Sequence, residues 1–157
     1  GNEEKSFDAV KVFDEEIQKF EKKEAERLQK IEEAKKAFQA KMDIDKAVET
    51  ESGLKILTLK KGKGKMVTRD TKNTTHYKLY LADGTFIQDS RSGNKPFEFK
   101  LSERPMITGF VEAILKMRAG GKARLFIPYY LAYGEKGGGP FPPKADIIFE
   151  LEILKVQ

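Results

Sequence analysis

From Phe7 to about Gln39 the chain contains neither glycine nor proline, while nearly all of its 13 glycines and all six prolines lie beyond residue 50. A stretch free of breakers and dominated by Ala, Glu, Lys, Gln and Leu, all strong helix formers, reads as one long helix. The asymmetry divides the 157 residues into a helical extension, 1–50, and a turn-rich body, 51–157, large enough for one domain. Charge divides at the same place. The extension holds 14 Asp/Glu against 11 Lys/Arg, net −3, and the body 11 against 19, net +8.

In the extension, Ser6 is placed to cap the helix and Asp8 to complement its dipole. Glu15–Lys19, Glu26–Lys30 and Glu32–Lys36 run Glu to Lys at i, i+4, the favourable order. Val10, Phe13, Ile17 and Phe20 form a narrow apolar stripe that slips to Ala25, Leu28, Ile31 and Phe38. Such a stripe must be covered, either by the body of the same chain or by the helix of a second copy through residues 7–40. The slip in register argues against a regular coiled coil. Lys41–Glu51 reads as a helical tail or second short helix, stopped by Gly53.

The body reads as an antiparallel sheet crossed by one helix. Leu54–Leu59 and Thr74–Ala82 alternate as strands do, and Asp83-Gly84 is a strong hairpin signal into Thr85–Ser90. A short strand is expected at "PFEFKL", a helix at "TGFVEAILKM", and strands at "KARLFIP" and "ADIIFELEILKV", the last long and apolar enough to be central. The loop "YYLAYGEKGGGPFPP" is too long for a mere connector.

Several function classes fall away. There is no cysteine, hence no thiolate chemistry and no Cys-based metal site. His76, the one histidine, reads as a structural residue, and "GKGK" lacks the Gly-Lys-Ser/Thr of a phosphate loop. The lysines of the body are scattered without interleaved aromatics, so no nucleic acid is expected as partner. No apolar run reaches the ~18–20 residues of a membrane span. Gly1, in place of an initiating Met, reads as a scar of expression, with a signal or lipoprotein segment expected upstream. No cofactor and no metal are expected.

"TESGLKILTLKKGKG", "LADGT", "NKPFEF", "MITGFVEAILKMRAGGKARLFIP" and "LAYGEKGGGPFPPKADIIFELEIL" resemble, in order and spacing, an FKBP-type peptidyl-prolyl cis–trans isomerase domain over about Thr50–Val156. The charged helix ahead of it is similar to the bacterial envelope subgroup of macrophage infectivity potentiator type. The resemblance implies an α+β fold, an antiparallel sheet wrapped on one short helix and preceded by a long N-terminal one. It implies a periplasmic location, lipid-anchored in the full-length protein, with the cytoplasm as the alternative. It also implies isomerisation of proline in unfolded or exposed polypeptide, without covalent chemistry.

Carried over residue by residue, the resemblance places Tyr77, Phe97, Met106, Ile107, Tyr133 and Phe149 in an apolar wall. It puts Phe110 at the floor, where many members have tryptophan, and Phe141 in a loop one residue shorter than usual. The Ile107 backbone N–H and the Tyr133 hydroxyl are implied to bind substrate carbonyls. Aligned on "DG" and "NKPF", the family's Phe-Asp pair falls on Ile87-Gln88. A two-residue turn at Asp83-Gly84 pairs Leu81 with Phe86, Leu79 with Gln88 and Tyr77 with Ser90, which turns Gln88 to Tyr77's face and Asp89 away. The residues expected to act on the amide are therefore Tyr77, Gln88, Ile107 and Tyr133. The alternative is a weakly active or non-catalytic peptide-binding chaperone module, the pocket having changed at Ile87-Gln88.

Overall fold

The computed structural model describes the backbone of residues 2–157 and the side chains from Val10 onward. Helix α1 (Asn2–Lys41) begins ahead of the expected start and is about 60 Å long at 1.5 Å per residue. The expected cap at Ser6 and dipole contact at Asp8 fall on side chains outside the described residues. Among the described residues, α1 carries an Arg27–Glu24 ion pair and none of the three expected Glu–Lys pairs. Exposed pairs of this kind contribute little, so their long side chains stay free.

The expected helical tail after α1 is instead a 3-10 turn at Ile44–Lys46 and a first strand, β1 (Val48–Glu49). The body continues with β2 (Lys55–Lys60), β3 (Asn73–Leu81), β4 (Phe86–Asp89), β5 (Phe97–Phe99), α2 (Thr108–Ile114), β6 (Lys122–Ile127) and β7 (Ile147–Val156). All pairings are antiparallel, in the order β1-β2-β6-β7-β3-β4. Strand β5 pairs with the first part of β3 along the edge that β4 uses further on. The ten residues of β7 lie between β6 and β3, the central position its apolar run implies.

One face of the sheet wraps α2. Phe110, Ala113 and Ile114 of the helix are buried against Leu125, Ile127, Leu151 and Ile153 of the central strands. Each such side chain contributes roughly 1.5–3 kcal/mol by leaving water. The opposite face carries a smaller cluster of Met42, Phe126 and Ile148, against which Phe38 and Tyr80 pack.

That smaller cluster is where α1 docks. The Phe38 ring meets Tyr80 at 5.4 Å between centroids, and Lys35 Nζ lies 3.4 Å from Asp146 Oδ2. Arg124 Nη1 donates to the Met42 carbonyl at 2.8 Å, a cation placed just past a helix C-terminus. Gly84, at φ +99°, lets the hairpin turn approach Phe38: a Cβ there would stand 3.1 Å from the ring. Only the last turns of α1 take part. Val10, Phe13, Ile17, Phe20, Leu28 and Ile31 stay exposed, Phe20 to 70%.

The hairpin differs from the expected two-residue turn. Leu81 N–H donates to Thr85 O, and Tyr80 pairs with Phe86 where Leu81 was expected. A bulge at Ile87 then restores Leu79↔Gln88 and Lys78↔Asp89. The extra residue turns Phe86 to the outer face, 6.0 Å from Tyr80. The ladder stops one pair short of Tyr77 and Ser90, but the Tyr77 N–H donates to Ser90 Oγ at 2.8 Å, so a side chain replaces the missing strand.

Candidate functional site

Period-two alternation puts Tyr77 and Leu79 of β3 on the face that holds α2. The register Leu79↔Phe149 brings Phe149 of β7 alongside, and Leu79↔Gln88 brings Gln88 of β4 from the other side. Phe97 arrives on β5, Phe110 on the first turn of α2, and Tyr133 from the long loop before β7. With Arg104–Ile107, these residues line a cleft of about 300 Å³.

Its base belongs to a closed circuit of five rings, four of which line the cleft while Phe99 is buried beneath. Tyr77 meets Phe97 at 5.8 Å, Phe97 stacks on Phe99 at 5.0 Å, and Phe99 meets Phe110 at 5.7 Å. Phe110 meets Phe149 at 5.5 Å, and Phe149 returns to Tyr77 at 5.8 Å. Tilted and edge contacts at these distances are the favourable ones for aromatic quadrupoles. Each ring is thus held by two others, and the Phe110 floor is 1% exposed. The result is an apolar surface braced ring against ring.

Polar groups enter only at the rim. Burial pushes the Tyr77 hydroxyl above the usual tyrosine range, opposed by the nearby Arg104 cation. Burial also raises Tyr133, with Tyr77 adding to the shift. Both phenols therefore keep their protons at neutral pH and can donate. Ile107 precedes α2 and its carbonyl accepts from Val111 N–H, but among the described residues its own N–H has no protein partner. Arg104 lies over the Phe97 ring at 4.9 Å, a cation–π contact that holds it at the mouth.

Of the residues expected from sequence, the cleft brings together Tyr77, Gln88, Phe97, Met106, Ile107, Phe110, Tyr133 and Phe149. It does not include Ile87 or Phe141. Ile87 is the bulged residue and packs against the core. Phe141 is buried behind Tyr133. Asp89 faces away, accepting from the Arg91 N–H at 2.9 Å with Lys78 Nζ at 3.9 Å. His76 Nδ1 lies 2.9 Å from Ser90 Oγ, and alternation along β3 keeps His76 out of the cleft lining. Leu79, Arg104 and Pro105 are lining residues that the sequence reading missed. Alternation from Tyr77 was a sufficient signal for Leu79; nothing local marked the other two.

Among the described residues no group of His, Asp or Glu is arranged to hold a metal ion. No described helix is long and apolar enough to cross a membrane.

Known proteins resemble this chain in sequence and in fold. The family model for FKBP-type peptidyl-prolyl cis-trans isomerase matches residues 63–154. A macrophage infectivity potentiator from Trypanosoma cruzi is 41% identical over 113 residues, covering 71% of this chain and 57% of that protein. An FKBP-type 22 kDa peptidyl-prolyl cis-trans isomerase from Escherichia coli (strain K12) is 38% identical over 108 residues, 68% of this chain and 52% of the relative. The chain thus spans little more than half the length of these two relatives. The crystal structure of FkpA from Escherichia coli superposes with a TM-score of 0.70 at 29% identity, covering 88% of this chain and 63% of that one.

Proposed function

The chain belongs to the FKBP-type peptidyl-prolyl cis–trans isomerase family, and from that premise we propose that its aromatic cleft isomerises Xaa-Pro bonds in unfolded or exposed polypeptide. The observation that carries the reading is the aromatic base with two phenol O–H groups and the Ile107 N–H at its rim. Rotation about a peptide bond costs ~18–20 kcal/mol because it breaks amide resonance. Water hydrogen-bonded to the carbonyl oxygen favours the resonant, planar form. A proline ring seated on the aromatic base loses that water, which raises the planar state relative to the twisted one. Nothing covalent is required. The Ile107 N–H and the Tyr133 hydroxyl hold the flanking carbonyls, so that one side of the bond is fixed while the other turns. Each 1.4 kcal/mol of preference for the twisted amide is a tenfold gain in rate.

The test is catalysed exchange of a Xaa-Pro peptide, followed by NMR or in a protease-coupled assay. Wild type is expected to accelerate exchange, and Phe110→Ala or Tyr133→Phe to slow it. A wild-type rate equal to the uncatalysed one, unchanged by Gln88→Asp with Ile87→Phe, would refute the enzyme reading. It would leave the second reading, a non-catalytic or weakly active peptide-binding chaperone. What favours that second reading is Gln88, a neutral amide lining the cleft where the resembling family carries a carboxylate.

The exposed stripe of α1 supports a homodimer through residues 7–40, checked by solution mass with and without that segment. The same charged helix ahead of the body supports placement in a bacterial envelope. The division at residue 50 is retained as a functional one, although β1 joins the sheet just before it.

A further inference from the structure

The body carries a further hollow, larger than the aromatic cleft. It is a groove of about 580 Å³ beyond the C-terminal end of α2, between the helix and the sheet edge formed by β1 and β2. Its floor is apolar, made by Ile56, Ala113, Met117 and Ala123, and it holds no aromatic ring. Five cations stand around it: Lys60, Lys61, Lys116, Arg118 and Lys122. No carboxylate lines it, and among the described residues none of the five is in an ion pair. Glu112, one turn before Lys116, feels that charge, but its oxygens are taken by the hydroxyls of Thr50 and Ser52.

The edge beside this groove is open. Strand β1 covers β2 only at Lys55 and Ile56, so Leu57–Lys60 has β6 on one side and no strand on the other. The Thr50 N–H donates to the Leu54 carbonyl at 2.7 Å, in register with the Val48↔Ile56 pair. Backbone groups alternate sides along an antiparallel strand, so Leu54, Ile56 and Thr58 direct their N–H and C=O toward this edge. Those of Thr58 meet no strand. Val48 at the rim is 72% exposed.

We propose that this groove binds an extended acidic polypeptide segment, added as a strand along Leu57–Lys60, with an apolar side chain on the Ile56–Met117 floor and flanking carboxylates on the lysines. Strand addition supplies affinity through main-chain bonds, and the groove supplies side-chain selection. A nucleic-acid strand would satisfy the cations but offers no alternating N–H and C=O groups to the Thr58 edge. The site is separate from the aromatic cleft, and the inference does not rest on the isomerase reading.

The experiment titrates the full chain against a fluorescein-labelled peptide of alternating Glu and Val, read by fluorescence anisotropy. A Lys–Val peptide and an oligothymidylate are the comparison probes. The Glu–Val peptide is expected to bind, the Lys–Val peptide not to, and binding to slow amide exchange at Thr58. Lys60→Glu with Lys61→Glu, both exposed positions, is expected to weaken binding at least about tenfold with an unchanged melting temperature. The proposal fails if the charge-reversed chain binds equally well, or if protection appears at Tyr77 and Phe97 instead. It fails equally if the oligothymidylate binds and displaces the peptide, which would make the groove a phosphate surface.

Discussion

The rings of Tyr133 and Phe141 stack face to face, with centroids 3.8 Å apart and planes 13° from parallel. Tyr133 sits on a glycine-rich loop, and Phe141 is the buried group that fixes its plane. Phe141 therefore acts on the cleft through Tyr133 without lining it. Contact this close gains dispersion over many atom pairs, each worth ~0.1–0.2 kcal/mol. Phe141→Ala is expected to lower kcat/KM for a Xaa-Pro peptide about three- to tenfold, and Phe141→Tyr to preserve it. Equal rates for Phe141→Ala and wild type would show that Tyr133 needs no support.

Gln88 offers both a donor and an acceptor to the cleft, whereas a carboxylate only accepts. A hydrogen bond to a charged group is stronger by ~1 kcal/mol than a neutral one. Gln88→Asp is thus expected to raise the isomerisation rate about fivefold, and Gln88→Leu to lower it by a similar factor. The comparison is made by exchange NMR on one peptide. An increase with Gln88→Leu would mean the amide hinders the substrate.

Glu112 provides a pH test of stability. Burial alone would raise its carboxyl, but hydrogen bonds from Ser52 and Thr50, with the Lys116 charge, hold it below 4.5. A carboxyl lower in the folded than in the unfolded chain adds stability above the unfolded value, lost as pH falls through the folded one. Wild type should therefore lose stability relative to Glu112→Gln as pH drops below the ordinary carboxyl range, the two curves converging in urea melts. Parallel curves would show that the contact is energetically neutral.

Phe38 joins α1 to the body. Phe38→Ala is expected to cost ~1–2 kcal/mol of buried apolar contact. Gly84→Ala should act in the same direction, since its φ is +99° and the added Cβ would press on Phe38. Hydrogen exchange is expected to accelerate at residues 35–42 in both variants, with little change at Leu125 or Leu151. Uniform acceleration would mean that α1 and the body unfold together.

Where hydrophobic period and length were unambiguous, the sequence was readable. The helix read over residues 7–39, the long β7 and the strand bearing Tyr77 are dictated by spacing that no tertiary contact needs to correct. The short elements were less so. Val48–Glu49 is strand only because β2 lies beside it, and two residues carry no periodicity of their own. The cleft's aromatic members followed from the family resemblance, yet Ile87 left the lining because one bulge shifted it into the core. A bulge has no local signature when the turn residues also suit a tight hairpin. Arg104 and Pro105 lie in an irregular segment, where placement depends on what the neighbouring strands leave open.

The wall of the cleft hangs on β3 in two separate pieces, β4 toward one end and β5 toward the other. Between them the edge is closed by a single side chain, Ser90 Oγ, which takes the Tyr77 N–H and contacts His76. The Gln88 wall is tied to β3 by its own ladder, and the Phe97 wall by β5 and the ring circuit. The two walls are thus anchored independently of one another. A change of side chain on the Gln88 wall can retune the cleft without displacing the aromatic wall opposite.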